Sequence, residues 1–344
     1  MTLPPKRESL WTLMRPVDLA TMIYLVVIAV LVVLFRDGVD GWAWYVPAHL
    51  AAVLLIAALI RKADGRRRRL GVLRHWYPVL VFFPLFAEMN ELVTMIFPFW
   101  ANSWLIRLDH ALFGVHPTVW FEQVAKPALT ELMVIFYLAY FLLIPAAALP
   151  LYLKKKEREF DSLMFNTALA YYLSFIAFLF FPAVSPRVTL SHLQGGPLEG
   201  GFLLGLLDWV QGFGGIRGGA FPSSHVAVAF AILFSAHRYE RRIFYVLLPF
   251  VLGLAVSTTY CRYHYAVDAI AGALLGVTAV FLGQKLFAHW ERTWFIPSRS
   301  MVAPKGVTVS PSPVAETVPL IGEKRRQHAG RAGSQAAGVR QEIE

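Results

Sequence analysis

The sequence predicts an all-α fold, a polytopic transmembrane helical bundle of about eight spans. Of the 344 residues, 57% are hydrophobic and only 16% are charged, whereas soluble domains average about 45–50% and about 25%. The apolar residues are concentrated in segments of 18 to 25 residues, long enough to cross a hydrocarbon core of about 30 Å. Basic residues lie between these segments rather than in one stripe, so we expect no nucleic-acid partner.

Eight segments have the length and composition of membrane spans. They cover residues 17–35, 42–60, 76–98, 129–153, 162–182, 222–239, 243–260 and 265–287. They account for about half of the chain, which leaves little room for a separate soluble domain. We therefore predict a cytoplasmic segment at 1–16, one membrane-embedded domain at 17–297, and a disordered cytoplasmic tail at 298–344, where Pro, Ser, Gly and charged residues accumulate.

The distribution of Lys and Arg predicts the orientation of the bundle. With both termini in the cytoplasm, 26 of the 32 Lys and Arg residues lie on the cytoplasmic side, as the positive-inside rule requires. The six outer ones are Arg36, Arg107, Lys126, Arg187, Arg217 and Arg262. We expect a multi-pass protein of the plasma membrane with its active site on the extracytoplasmic or lumenal face. The segment 99–128 mixes aromatic and polar residues and is expected to lie along that interface.

The segment Phe221-Pro222-Ser223-Ser224-His225 marks the point where an outer loop enters the sixth span. Proline suits a helix start, and Ser223 and Ser224 can cap it. The free backbone N–H groups of a helix N-terminus bind anions, and phosphate is the natural occupant. The segment therefore predicts a phosphate site with His225 on the first helical turn. The alternative is that proline and serine only start a helix here.

His264 and Asp268 form a second polar motif at the entry to the last span. A spacing of four places both side chains on one helical face. The carboxylate can accept a hydrogen bond from one ring nitrogen and leave the other nitrogen free as a nucleophile. Because the topology places His225, His264 and Arg262 on the same side of the membrane, we expect the two motifs to form one site.

Three outer arginines are candidates for binding the phosphate. Arg187 follows the fifth span in Ser185-Pro186-Arg187, Arg217 precedes Pro222 by five residues, and Arg262 precedes His264 by two. A guanidinium can offer a forked pair of donors to a phosphate. The alternative is that these arginines contact lipid headgroups at the membrane edge.

Pro222-Ser223-Ser224-His225 and His264-x-x-x-Asp268 resemble the second and third signature motifs of the type 2 phosphatidic acid phosphatase superfamily. The stretch from Thr259 to Asp268 is most similar to the inositol phosphorylceramide synthase branch of that superfamily. The resemblance extends over about 129–285. It implies a helical bundle in which His264 forms a phosphohistidine, Asp268 orients His264, His225 is the general acid, and neither metal nor cofactor is needed.

The sequence departs from the phosphatase pattern at two places. The motif of Lys, six residues and Arg-Pro is absent, and Ser185-Pro186-Arg187 stands in its place. The arginine expected six residues before the nucleophile is Thr258 in this chain. Both departures favour the transferase branch over the standard phosphatases.

The function implied by the resemblance is transfer of a phosphoryl or phospho-headgroup from a lipid phosphate or phosphodiester through a phosphohistidine. Membrane lipids and a polar alcohol acceptor are the expected partners. The motifs leave the acceptor open. With water as acceptor, the protein would be a lipid phosphate or polyprenyl diphosphate phosphatase.

Two hypotheses from other functional classes are alternatives to an enzyme. Glu88 and Glu91 share one face of the third span and are expected to point into the bundle, and Gly272 and Gly276 allow close helix packing. These features would suit a lipid transporter or scramblase. A scaffold without turnover is the other reading, and the intact His225, His264 and Asp268 argue against it. The single cysteine, Cys261, excludes an internal disulfide.

Overall fold

The structure is a computed structural model that describes residues 9–63 and 68–294. Within these ranges every regular element is a helix and no β-strand occurs, which confirms the predicted all-α bundle. The predicted tail at 298–344 lies outside the described residues, as do residues 1–8 of the predicted N-terminal segment.

Among the described residues, eleven helices have 12 or more residues. They are α1 (Pro16–Leu34), α2 (Trp42–Lys62), α3 (Arg68–Leu92), α4 (Asn102–Phe113), α5 (Pro127–Leu138), α6 (Tyr140–Leu153), α7 (Glu157–Phe180), α8 (Phe202–Gly214), α9 (Ser224–Tyr239), α10 (Arg241–Tyr260) and α11 (Ala266–Trp294). Short helical turns lie at Leu10–Leu13, Arg36–Gly38, Pro117–Trp120, Phe121–Gln123, Pro186–Thr189 and Ser191–Leu193.

Each of the eight predicted spans corresponds to helix in the described structure. Six helices, namely α1, α2, α3, α7, α10 and α11, are long and apolar enough to cross a membrane. The predicted span at 129–153 is divided into α5 and α6, which are bent by 43° and would count together as a seventh span. Helix α9 has 16 residues, about 24 Å at the usual rise, and is therefore shorter than the hydrocarbon core of about 30 Å.

Helices α7, α9 and α11 pack on one another and form the centre of the bundle. Phe160, Phe175 and Phe178 of α7 are fully buried, as are most apolar residues of α9. By contrast, α1 and α2 expose large apolar side chains such as Leu34 and Leu54. This is the distribution expected where lipid rather than water surrounds the outer helices.

Helix α11 lies unusually close to α9 because glycine occupies two positions of the contact. A Cβ atom at Gly272 would overlap the carbonyl oxygen of Ser223, and a Cβ atom at Gly276 would overlap that of Ala227. The backbone N–H of Ser223 also donates to the carbonyl of Asp268 over 3.0 Å. The starts of the two helices are thereby held side by side.

The N-terminal helices are joined to the centre of the bundle by a buried ion-pair network. Arg15 contacts Asp18 of α1 and Asp161 of α7, each over 3.1 Å. Arg74 of α3 lies 3.6 Å from Asp18, and the hydroxyl of Tyr77 donates to Asp18 over 2.9 Å. Asp18 is fully buried and is satisfied by these donors, as a buried charge requires.

The two carboxylates of the third predicted span have different environments. Glu88 does point inward, and its Oε2 lies 3.4 Å from Nε2 of the buried His49 of α2. Glu91 is exposed instead, so the prediction that both face the interior is wrong for Glu91. The reason is that Glu91 lies off the buried face of α3, which Leu85, Met89 and Leu92 form.

We predict that Gly272→Ala destabilises the bundle by about 1–3 kcal/mol, because the added methyl group meets backbone that cannot rotate away. Thermal unfolding in detergent measures this effect. Gly71→Ala is the matched control, since no atom lies within 4 Å of a Cβ at that helical position and alanine favours a helix. Equal melting temperatures for the two variants would contradict the close-contact explanation.

Candidate active site

The start of α9 presents several unpaired hydrogen-bond donors. Ser223 is the N-cap, and its Oγ accepts from the backbone N–H of Val226 over 3.4 Å. The backbone N–H groups of Ser224 and His225 form no hydrogen bond with any described residue, and neither does the Ser224 hydroxyl. Donors of this kind, aligned with the helix dipole, form an anion site.

His264 lies between α10 and α11 with its ring held in one orientation. Its Nδ1 is 2.8 Å from the carbonyl oxygen of Ala220. A carbonyl can only accept, so Nδ1 carries the proton and the Nε2 lone pair is available. No described residue forms a hydrogen bond with Nε2. A buried imidazole in this tautomer is suited to nucleophilic attack.

Asp268 is close to His264 but does not take the direct hydrogen bond that the sequence predicts. Its Oδ2 lies 3.6 Å from Nδ1 of His264 and accepts instead from the backbone N–H of Tyr265 over 2.8 Å. The reason is that Asp268 lies in the first turn of α11, where its carboxylate reaches a free backbone donor. The fully buried carboxylate therefore acts on the imidazole through its charge, while the Ala220 carbonyl sets the tautomer.

His225 lies beside His264 inside an aromatic enclosure. The ring centroids of the two histidines are 5.8 Å apart. The rings of Tyr140 and Tyr137 lie 4.5 Å and 5.4 Å from that of His225, and Phe86 of α3 lies 6.3 Å away. Nδ1 of His225 is buried and has no partner among the described residues. The ring is therefore not committed through Nδ1 to any described residue.

Arg187 lies in an exposed position where its hydrogen bonds can be redirected. Its Nη1 donates over 3.0 Å both to Oδ1 of Asp208 and to the hydroxyl of Tyr263. Its backbone N–H donates over 2.9 Å to the carbonyl of Arg262, two residues before His264 in the chain. Because the side chains of Arg187 and Asp208 are 49% and 45% exposed, their ion pair contributes about 0–1 kcal/mol. A phosphate can displace it at little cost.

Arg262, by contrast, has both of its terminal nitrogens paired within the protein. Nη1 donates to Oε1 of Gln194 and to the carbonyl of Gly196, and Nη2 donates to Glu122 over 2.7 Å. Its backbone has φ +64, a left-handed conformation that costs a non-glycine residue about 1–2 kcal/mol. Its Nε is buried and has no partner among the described residues, which leaves one donor for the phosphate contact predicted for Arg262.

The structure places Arg217 at the edge of the site. Its guanidinium lies over the ring of Trp100 with 5.9 Å to the centroid, and its backbone N–H donates to Oδ1 of Asn90. None of its described contacts is with His225 or His264. The predicted role of Arg217 in binding phosphate therefore has less geometric support than that of Arg187.

Helix α4 supplies two polar residues that the sequence analysis missed. Asn102 donates to the carbonyl of Val184 and to the hydroxyl of Tyr265, and its Oδ1 accepts from the N–H of Val184. Asp109 accepts from two backbone N–H groups at the start of α11. With Leu105, these residues form the buried face of α4. Two polar residues on the apolar stripe of an amphipathic helix were the available signal.

Within the described ranges, no group of three or more His, Cys, Asp or Glu side chains is arranged to hold a metal ion.

Comparison with protein families now identifies the fold. The model of the PAP2 superfamily matches residues 103–282, just over half of the chain. The chain belongs to the PAP2 superfamily. The matched region extends from α4 into α11 and includes both histidines and Asp268, whereas α1, α2 and α3 precede it. This confirms the superfamily to which the sequence motifs pointed.

Two relatives of this PAP2 protein extend the comparison. A PA-phosphatase related-family protein of Dictyostelium discoideum is 34% identical over 122 residues, which are 33% of this chain and 21% of the relative. The chain thus spans about a fifth of that protein's length. The crystal structure of Aquifex aeolicus LpxE aligns with a TM-score of 0.37 at 20% identity and covers 54% of this chain and 96% of LpxE.

We predict that Arg262→Ala destabilises the protein by about 3 kcal/mol, because Glu122 and two further acceptors lose their buried donor. Chemical or thermal unfolding in detergent measures the loss. The matched control is Arg217→Ala, which removes an exposed guanidinium and should change stability by no more than about 0.5 kcal/mol. Equal stability of the two variants would show that the Arg262 cluster does not stabilise the fold.

Proposed function

We propose that this PAP2 protein transfers a phosphoryl or phospho-headgroup from a lipid phosphate or phosphodiester through a phosphohistidine at His264. One observation carries the proposal. The Nδ1–H of His264 is tied to the Ala220 carbonyl, so the free Nε2 belongs to a fixed ring beside unpaired donors at the start of α9. A nucleophile next to an anion site is the arrangement that phosphoryl transfer requires.

In the first step, the phosphate binds to the N–H groups of Ser224 and His225, with Arg187 turned toward it. Nε2 of His264 attacks phosphorus while the bond from phosphorus to the leaving oxygen breaks. His225 gives its proton to that oxygen, which departs as an alcohol. The ring of His264 gains positive charge, and the carboxylate of Asp268, 3.6 Å from Nδ1, stabilises it.

In the second step, an acceptor hydroxyl attacks the phosphohistidine. His225 now removes the proton from the acceptor, and the bond between phosphorus and Nε2 breaks. The aromatic rings of Phe86, Tyr137 and Tyr140 limit the access of water to His225 during both steps. Because His225 returns to its protonated form and His264 to its free form, the site is ready for another cycle.

The finer assignment, to an inositol phosphorylceramide synthase-like transferase, rests on a cavity beside the nucleophile. The cavity has a volume of about 270 Å³ and is lined by Arg187, Gln194, Asp208, Arg262 and Tyr263, among others. Its arginines are already paired with Asp208 and Glu122. The remaining wall includes Leu198, Leu204 and Leu207. A cavity with paired charges and a partly apolar wall suits an uncharged hydroxylated group, and this supports an alcohol acceptor.

Hydrolysis is the second candidate function. The Dictyostelium relative is named a PA-phosphatase related-family protein, and this name favours water as the acceptor. In that case the substrate would be a lipid phosphate or a polyprenyl diphosphate, and the histidines would keep the same roles.

The orientation of the site is also part of the proposal. The outer position, with both termini in the cytoplasm of a plasma-membrane protein, is supported by the 26 to 6 division of Lys and Arg between the two sides. Arg187, Arg217 and Arg262, three of the six, lie at the end of the bundle that carries the histidines.

We predict that the two histidine variants behave differently on activated substrates. His225→Ala should lose about 10²- to 10⁴-fold in rate on phosphatidic acid but recover much of its activity on p-nitrophenyl phosphate, whose leaving group needs no acid. His264→Ala should be inactive on both and form no acid-labile phosphoenzyme, because the nucleophile is gone. Steady-state rates and acid quenching measure these outcomes.

His192→Ala is the control for the loss of a histidine, since His192 is exposed in an outer loop and should retain full activity. Activity of His264→Ala on p-nitrophenyl phosphate would rule out the phosphohistidine. Equal loss in both variants on this ester would contradict the role of His225 as an acid.

The acceptor can be identified by product analysis with myo-inositol as the probe. If the cavity binds an alcohol, added inositol should divert product from inorganic phosphate to an inositol phosphate and should saturate. Leu204→Trp, which fills part of the cavity wall, should suppress the inositol product but leave hydrolysis of p-nitrophenyl phosphate unchanged. Inorganic phosphate as the sole product at every inositol concentration would favour the phosphatase.

A further inference from the structure

We infer that Asp109 of α4 is a positioning residue for the reaction, acting on His264 through the backbone at the start of α11. This inference rests on the proposed function, because it assigns the residue that holds the nucleophile proposed above. Asp109 lies outside the signature motifs, 155 positions before His264 in the chain.

The carboxylate of Asp109 caps a helix to which it does not belong. Its Oδ1 accepts from the N–H of Val267 over 2.9 Å, and its Oδ2 accepts from the N–H of Ala266 over 3.1 Å. The first N–H groups of a helix have no partner within that helix, and a residue at the helix start usually satisfies them. Here a second helix supplies the acceptor, and Asp109 is only 1% exposed.

Three consecutive backbone donors directly after His264 are therefore held by carboxylates. Asp268 binds the N–H of Tyr265 over 2.8 Å, and Asp109 binds the next two. On the other side, the backbone N–H of His264 donates to the carbonyl of Thr258 over 3.1 Å. His264 is thus fixed both by the end of α10 and by the start of α11. A displacement of about 1 Å at a reacting atom can cost about 100-fold in rate.

Helix α4 also holds the neighbouring loop in place. Asn102, on the same buried face as Asp109, bonds to both backbone groups of Val184 and to the hydroxyl of Tyr265. The hydroxyl of Tyr265 lies 2.6 Å from Oγ1 of Thr189. One helix thereby connects the segment that follows α7 and carries Arg187 with the segment that carries His264.

An asparagine cannot replace Asp109 at this position. The carboxylate uses both oxygens as acceptors, one for each N–H group, whereas an amide has one oxygen and an NH₂ group that would face a donor. Asp109→Asn therefore preserves the shape of the side chain but leaves one buried N–H group without a partner.

The experiment compares Asp109→Asn with His110→Ala, an exposed neighbour on the same helix, in the full-length protein. The rate of phosphoenzyme formation from p-nitrophenyl phosphate is divided by the number of sites that become labelled, which corrects for unfolded protein. We expect Asp109→Asn to lower this rate per site about 10- to 100-fold with little change in KM, and His110→Ala to match the unmodified chain. An unchanged rate per site would overturn the inference.

A double-mutant cycle and hydrogen exchange complete the test. If Asp109 and Asp268 act on the same segment, the loss in Asp109→Asn combined with Asp268→Asn should be smaller than the product of the single losses. If the two losses in rate multiply independently, Asp109 is only a general structural residue.

Hydrogen exchange at the backbone amides of Ala266 and Val267 should be faster in the single variant Asp109→Asn than in the unmodified chain. This measurement needs no activity, so unchanged exchange refutes the cap even if the unmodified chain forms no phosphoenzyme and the proposed function fails.

Discussion

The contact between the starts of α9 and α11 is the constraint on which the site depends. Without side chains at Gly272 and Gly276, the two backbones approach closely, and the Ser223 N–H bonds to the carbonyl of Asp268. This contact sets the anion-binding start of one helix beside the histidine that precedes the other. In the proposed mechanism neither helix could form the site alone, because the start of α9 supplies the donors for a phosphate and the segment before α11 supplies the nucleophile.

The presence or absence of hydrogen-bond partners distinguishes supporting residues from reactive ones. Supporting groups near the site have partners: Arg262 has three acceptors, and Asn102 and Asp109 use both of their oxygen or nitrogen functions. The unpaired groups near the site are Nδ1 of His225, Nε of Arg262, Oδ1 of Asp268 and the donors at the start of α9. Because leaving a buried polar group unpaired costs about 1–3 kcal/mol, the unpaired donors among these groups support the proposed binding of a phosphate.

Of the three helices before the PAP2 region, α3 contributes to the site. Phe86 of α3 lies against His225, and Asn90 of the same helix accepts from the backbone of Arg217. At the other end, the Asp18 network binds α1 and α3 to α7. Helix α3 therefore forms one wall of the enclosure around His225, and buried ion pairs join it through Asp18 to the centre of the bundle.

The sequence by itself determined the helical class, the approximate spans and the two histidine motifs, because these depend on hydrophobic length and on spacing within one element. It did not reveal the bend between α5 and α6 or the exposure of Glu91. It also did not reveal that Ala220 rather than Asp268 bonds to the His264 ring, or that Asp109 caps α11. Only the tertiary structure decided these features. Each depends on which distant segments of the chain pack against one another, and local periodicity in the sequence carries no information about such contacts.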